Sequence, residues 1–271
     1  MKYKELFSLK GKNAVVTGGA GFLGRRFCAG LAAFGANVAV VDVNAKEAQA
    51  VADDLRAQYP VRVLGIGCDV SNPSSVKKMT DKAAKALGGI HVLHNNAAYG
   101  AKGRPKFFDP FEKYSTGEWR RAMSVNIDGM FLVAQAVGNV MLKQRTGGSI
   151  IQTASIYGIM APDQRIYEGL SKNKRINAPA VYSASKGGVV ALTKYLAAYW
   201  ADKGIRVNTL TPGGVQNGQK KNFQKKYSAR VPMGRMAEAD EMVGALIYLA
   251  SDASAYVTGH NLAVDGGLSA W

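Results

Sequence analysis

The chain is predicted to be an α/β protein: a single doubly wound parallel sheet with helices on both faces. Three observations predict it. Apolar runs of strand length alternate with helix-length runs along the whole chain. The apolar runs are continuous rather than alternating, as in strands buried on both faces. The first run flows into a Gly-rich turn that opens a helix, and the second run ends on an acid.

In order, residues 13–16 (NAVV) read as the first strand and 17–24 as the Gly-rich turn, followed by a helix over 25–34 that Gly35 stops. A second strand over 37–41 ends at Asp42, and a helix over 45–58 is closed by Pro60. The third strand, 61–67, leads to Cys68 and Asp69; a helix over 72–87 is halted by Gly88 and Gly89. A fourth strand, 91–94, precedes residues 95–98. The second half repeats the rhythm: a long helix over 118–144, broken near its end, a strand over 148–153, a helix over 182–202 and a strand over 205–210. A helix over 239–249 and a strand over 261–264 complete the pattern. Right-handed crossovers then place helices on both faces of the sheet. No repeat or linker divides the chain, so residues 1–271 read as one domain, with substrate loops at about 156–181 and 213–235 and a third at 100–117.

Hydrophobic residues make up 47% and charged residues 20% of the 271 residues, enough apolar material for a large core without staples. The two cysteines, Cys28 and Cys68, read as buried free thiols of a reducing compartment. His91, His94 and His260 lack ligand spacing, so no metal site is expected. The amino terminus has no apolar core of a signal peptide, and no stretch approaches the ~20 apolar residues of a membrane helix. A cytoplasmic protein with no membrane partner is expected. The net charge of +16 favours an acidic partner, whether nucleic acid, anionic lipid or a charged substrate; a solubilising surface is the other reading.

The turn Thr17-Gly18-Gly19-Ala20-Gly21-Phe22-Leu23-Gly24 has the context of a dinucleotide fingerprint. Gly18 permits the tight turn, Gly21 lets the backbone approach a pyrophosphate, and Gly24 lets helix and strand pack closely. The start of the helix offers unpaired N–H groups to phosphates. Asp42 can accept hydrogen bonds from both ribose hydroxyls and would repel the extra phosphate of NADP, so NAD is the expected cofactor. Asp69 suits the adenine amine; a turn-capping aspartate is its other reading.

These residues, with Asn95-Asn96-Ala97, Asn126, Ser155, Tyr182-x-x-x-Lys186, Pro212-Gly213 and Asp265-Gly266-Gly267, resemble the short-chain dehydrogenase/reductase family over nearly the whole chain. The resemblance implies a Rossmann-type domain and an NAD(P)-dependent oxidoreductase acting on CH–OH groups. It implies a cofactor held by Gly18, Gly21, Phe22, Leu23, Gly24, Asp42, Asp69, Val70, Asn95, Ala97, Tyr182, Lys186, Pro212, Gly213 and Val215. It also implies a homodimer or homotetramer formed through the two long helices. Three departures stand out. Phe22 replaces a family glycine, with the glycine moved to 21; Ala98 replaces another; and Tyr182 follows Ser155 by 27 positions, which points to an inserted loop beside the substrate.

The implied catalytic set is Asn126, Ser155, Tyr182 and Lys186. An unperturbed phenol, with a pKa of about 10, is a poor base at neutral pH. Lys186, four residues on and on the same helical face, is expected to lower it. Tyr182 would then take or return the alcohol proton. Ser155 would donate to the carbonyl oxygen, and Asn126 would bind a water relaying protons through the lysine. The reaction class is a secondary alcohol to a ketone, or the reverse.

The lid after the sixth strand carries Lys220, Lys221, Lys225, Lys226, Arg230 and Arg235 with no acid between 215 and 235. The inserted loop holds Arg165, Lys172, Lys174 and Arg175 against Asp163 and Glu168. An anionic small-molecule substrate follows as one expectation, and a solvated basic lid as the other. The stretch 161–169 (APDQRIYEG) resembles family members of bacterial carbohydrate metabolism and tilts the reading toward a sugar-like polyol. The rivals are a 3-oxoacyl-thioester reductase, which Asp42 disfavours, an epimerase or dehydratase of the family's extended branch, and a non-catalytic NAD-sensing binding protein. No helix-turn-helix or RNA-binding aromatic motif supports a nucleic-acid partner.

Overall fold

The structure is a computed structural model and describes residues 3–100, 105–170 and 176–271. Lys172, Lys174 and Arg175 of the inserted loop lie outside the described residues.

Seven strands form one sheet: β1 (Asn13–Thr17), β2 (Asn37–Asp42), β3 (Val63–Gly67), β4 (Val92–Asn95), β5 (Gly148–Thr153), β6 (Ile205–Pro212) and β7 (Asn261–Val264). Their order is β3-β2-β1-β4-β5-β6-β7, and every pairing is parallel. Parallel strands must be joined by crossovers, and α1 (Phe22–Ala33), α2 (Ala45–Gln58) and α3 (Pro73–Leu87) supply the first three. α4 (Thr116–Met123) and α5 (Gly129–Gln144), then α6 (Ala180–Trp200), α7 (Lys221–Ser228) and α8 (Val243–Ala250), follow in the second half. The strand order reverses between β1 and β4, which opens the crevice where ligands of such sheets bind.

Strand side chains alternate between faces, so each apolar run feeds two cores. Ala14, Val16, Val38 and Val40 pack with Phe27 and Leu31 of α1, Val51 and Leu55 of α2, and Leu246 of α8. Val15, Ala39 and Val41 pack with Val76 and Met79 of α3, Val133 and Val137 of α5, and Leu196 and Trp200 of α6. Fully burying each large aliphatic or aromatic side chain contributes about 1.5–3 kcal/mol, which is why the strands tolerate no polar alternation. Cys28 and Cys68 are both buried and free.

The expected break in the long helix lies near its start instead of its end. α4 passes into a π-helical turn over Ser124–Asp128 before α5 begins. The wider turn carries Asn126 inward, where it is fully buried. The same helix overturns a second expectation. Over Thr116–Gln144 it is long and apolar enough to cross a membrane by length and composition. Its apolar residues Met130, Val133, Ala134, Val137 and Met141 are, however, spent on the protein core. Within the lid, a loop in the sequence reading, the structure places α7.

Candidate active site

The cofactor cradle is built first by backbone. Gly18 sits at φ +64°, a left-handed conformation that side chains disfavour. A Cβ on Gly24 would lie 2.0 Å from the Gly18 carbonyl oxygen, so α1 can start this close to β1 only with glycine there. α2 and α3 are capped by the side chains of Asn44 and Asn72, whereas α1 begins at Gly21 with no side-chain cap. Its first-turn N–H groups, which include those of Phe22, Leu23 and Gly24, therefore remain for an anion. The Phe22 ring is exposed, and Leu23 packs against the core.

Asp42 is fixed at the rim of this cradle. Its Oδ2 accepts from the Ala20 N–H (3.2 Å) and its Oδ1 from the Asn44 N–H (3.1 Å). A cleft of about 470 Å³ opens beside it, lined by Gly18, Asp42, Asp69, Val70, Ala97 and Val125 among others. Asp69 caps its own turn, Oδ1 accepting from the Ser71 N–H and Oγ–H, and the residue also lines the cleft. The sugar-edge carboxylate, the open helix start and the flat apolar floor together fit an adenine dinucleotide.

Asn95 commits its side chain to the protein itself. It is 1% exposed, and its amide bonds Met130 O (2.9 Å), Gln152 Oε1 (3.0 Å) and the Thr17 hydroxyl (3.1 Å). Its side chain ties strand ends together and does not reach the cleft. Thr17 and Asn96, which the sequence reading left out of the site, join them. The Thr17 Oγ accepts from the N–H groups of Asn96 (2.9 Å) and Ala97 (3.1 Å), while the Asn96 amide bonds Thr17 O. Across the sheet, Pro212 ends β6, and Gly213 passes so close to Asp265 that a Cβ would lie 2.7 Å from its Cα. Val215 bridges to Ala237 as the lid begins.

Ser155, Tyr182 and Lys186 meet at the carboxyl edge of β5. The turn Ile156–Gly158 lies directly on α6, since a Cβ on Gly158 would stand 2.6 Å from the Lys186 backbone. Lys186 is 1% exposed; its Nζ donates to Thr153 O at 2.7 Å and lies 5.9 Å from the centroid of the Tyr182 ring. Burial pulls the lysine down from 10.5 to about 8. The Tyr182 phenol is pulled in two directions. Burial raises it above its ordinary value, and a hydrogen bond with Ser155 lowers it. The Lys186 ammonium lies beside the ring.

Asn126 ties neighbouring elements together. Its Oδ1 accepts from the Tyr99 N–H (2.7 Å) and its Nδ2 donates to Ser185 Oγ (3.1 Å), which in turn donates to Tyr182 O. The side chain positions α6 and the segment after β4. A histidine no sequence signal marked completes the support. His94, fully buried, bonds the Thr153 hydroxyl at 2.8 Å. Burial, and then the charge of Lys186, hold it down at about 3, so it is a neutral brace.

The basic lid is largely committed to the fold. Lys220 Nζ donates to Leu170 O (2.7 Å), and Lys226 Nζ to the carbonyls of Arg165 (3.0 Å) and Glu168 (3.1 Å). Arg230 pairs with Asp163, which Arg165 also holds, and Arg235 pairs with Glu241. Beneath them Tyr157, Ile166, Tyr167, Phe223, Tyr227 and Val231 form a small apolar cluster between insertion and lid. The charge that suggested an anionic substrate therefore has another explanation.

A nucleotide cradle at a switch point, with a serine, a phenol and a buried ammonium one strand away, defines an oxidoreductase of CH–OH groups. Comparison with known proteins makes the class specific. Residues 20–269 match the family described as Enoyl-(Acyl carrier protein) reductase. The chain is 36% identical to D-threitol dehydrogenase of Mycolicibacterium smegmatis over 96% of this chain and 94% of that one. It resembles the crystal structure of a gluconate 5-dehydrogenase from Burkholderia cenocepacia J2315 in complex with NADP and tartrate, with TM-score 0.87, 32% identity and 98% of each chain covered. It also resembles an NAD+-bound xylitol dehydrogenase, with TM-score 0.84, 28% identity and 96% and 99% of the two chains covered. The chain belongs to the short-chain dehydrogenase/reductase family. It is an oxidoreductase that interconverts an alcohol and a ketone with a nicotinamide dinucleotide.

Proposed function

We propose that this enzyme is an NAD-preferring dehydrogenase of open-chain polyols, working in the cytoplasm as a dimer or tetramer. The observation that carries the reading is the convergence of Ser155, Tyr182 and Lys186 at the strand edge beside the Asp42-rimmed cradle. Asp42 supports NAD, because a carboxylate at the end of the second strand would accept from the ribose hydroxyls and repel the extra phosphate of NADP. The similarity to threitol and xylitol dehydrogenases supports a polyol. The commitment of the lid cations to carbonyls and carboxylates supports a neutral one. Exposed Phe131 on α5 and the stacked, exposed Tyr195 and Tyr199 on α6 support subunit pairing through these helices. Two buried free thiols support a reducing compartment.

When bound, the nicotinamide supplies the hydride acceptor or donor and, in its oxidised form, a positive charge near the phenol. The protein's own residues manage the proton and the geometry. Ser155 holds the substrate oxygen and shares a hydrogen bond with Tyr182, which favours the phenolate. In oxidation Tyr182 takes the hydroxyl proton while the C–H bond gives up its electron pair as hydride, leaving the carbonyl; in reduction it returns the proton. Lys186, fixed by Thr153 O and braced through Thr153 by His94, keeps a cation next to the ring.

The test is a screen of alditols, ketoses and sugar acids with NAD and NADP side by side, following the near-ultraviolet absorbance of the reduced cofactor. Turnover of a polyol with NAD, lost in Tyr182→Phe, is expected. Turnover of acyl-thioester ketones alone would overturn the reading.

A further inference from the structure

We infer that Arg121 is the outer wall of the adenosine site, stacking its guanidinium plane on the adenine ring. This inference rests on the dinucleotide reading of the cleft. Helical spacing puts Arg121, Ser124 and Val125 on one face, and all three line the 470 Å³ cleft opposite Asp42 and Asp69. Its apolar lining is Val41, Val70, Ala97 and Val125. Such a lining suits one face of a flat heteroaromatic ring and leaves the other face for a second contact.

Arg121 is placed to cover that face. Its side chain is 66% exposed, yet one end is anchored: Nη1 donates to Glu118 Oε1 at 2.6 Å. Glu118 is itself 10% exposed and fixed by the Tyr99 hydroxyl, which donates to its Oε2 at 3.1 Å. The Glu118 N–H is capped by Ser115. An arginine anchored in this way has already lost much of its rotamer freedom, so little is lost when a ring stacks on it. A planar guanidinium stacks on π systems better than a lysine ammonium does. The carboxylate partner also neutralises the pair, so the wall offers the ring a surface and gives a 2′-phosphate no net attraction. Arg121 therefore sets affinity for the adenosine half of either dinucleotide, while Asp42 sets the choice between them.

The test is binding to the whole protein, read by NADH and NADPH fluorescence titration and by calorimetry with ADP-ribose and with nicotinamide mononucleotide. Arg121→Met is expected to weaken NADH, NADPH and ADP-ribose by the same factor, about fivefold to tenfold. Nicotinamide mononucleotide should be unaffected, while melting temperature falls because the largely buried Glu118 loses its cation. Arg121→Lys should lose most of the same factor, since it keeps the charge but not the plane. Unaltered dinucleotide binding in both variants would overturn the inference and leave the proposed function standing. Loss confined to NADPH would also overturn it, making Arg121 a phosphate contact. A wild-type protein that binds no dinucleotide would overturn both.

Discussion

Replacing Lys186 by methionine is expected to stabilise the cofactor-free protein at neutral pH while disabling the enzyme. The lysine is 1% exposed, and burial brings it from 10.5 to about 8. At about 1.4 kcal/mol per pH unit, keeping it charged in the folded state costs about 3 kcal/mol. The substitution removes that cost but leaves Thr153 O without its 2.7 Å donor, a loss of about 1–2 kcal/mol. The net gain is about 1–2 kcal/mol at pH 7, or several degrees of melting temperature at about 2–4 °C per kcal/mol. The pH dependence gives the sharper check. The unfolded chain holds the lysine proton up to about 10.5, whereas the folded protein releases it near 8. Between these values the wild type gains stability with rising pH, and the methionine variant does not gain this contribution. The variant's advantage should therefore be present below pH 8, shrink to about nothing near pH 9 and turn into a deficit of about 1–2 kcal/mol above pH 10, where only the lost hydrogen bond remains. Calorimetric melting of both proteins without cofactor at pH 7, 8, 9 and 10 measures it. A variant less stable than wild type at pH 7, or a difference that stays constant to pH 10, would refute the argument.

Ser155→Ala removes the hydrogen bond that lowers the Tyr182 phenol, so the alkaline rise of kcat/KM for alcohol oxidation should move to higher pH; an unmoved limb speaks against Ser155 as the phenol's partner. Asp42→Ala should swing the NAD to NADP ratio of kcat/KM by about a hundredfold toward NADP, about 3 kcal/mol, since it removes both a ribose acceptor and a repulsive charge. A ratio within twofold of wild type counts against the rim assignment. Gly24→Ala should cost at least about 3 kcal/mol, seen as a fall in melting temperature or in soluble yield, because its methyl would lie 2.0 Å from the Gly18 oxygen.

The legible part of the fold was what periodicity and glycine control. Strand runs buried on both faces read directly as continuous valine, isoleucine and leucine, and the turn glycines marked the nucleotide crevice. Asp42 could be placed because a strand end fixes its position to within a residue. Contacts made across the sequence were not legible. Nothing local to Asn95 says that its amide will be used up by Met130, Gln152 and Thr17. The π-helical turn at Ser124–Asp128 leaves the apolar spacing almost unchanged, so a continuous helix fits the sequence as well. The four-residue spacing of Tyr182 and Lys186 predicted their proximity correctly. It could not reveal that both are buried, and burial decides the direction in which each titrates. His94 gave no signal because a lone histidine in an apolar strand is most often a core residue.

The lid shows how a one-sided charge can have a structural use. A run of cations with no acids looks unpaired when only side chains are counted, but backbone carbonyls are acceptors too. The acceptors for Lys220 and Lys226 are the carbonyls of Leu170, Arg165 and Glu168, all in the insertion between Ser155 and Tyr182. Asp163 in the same insertion pairs with Arg230. Two oddities of the sequence, the long Ser155–Tyr182 spacing and the basic lid, are thus one device that binds lid to insertion above the catalytic tyrosine. Without the insertion these lysines would lack these acceptors, and without the lysines the hold on the lid would rest on the Asp163–Arg230 pair and the apolar cluster beneath.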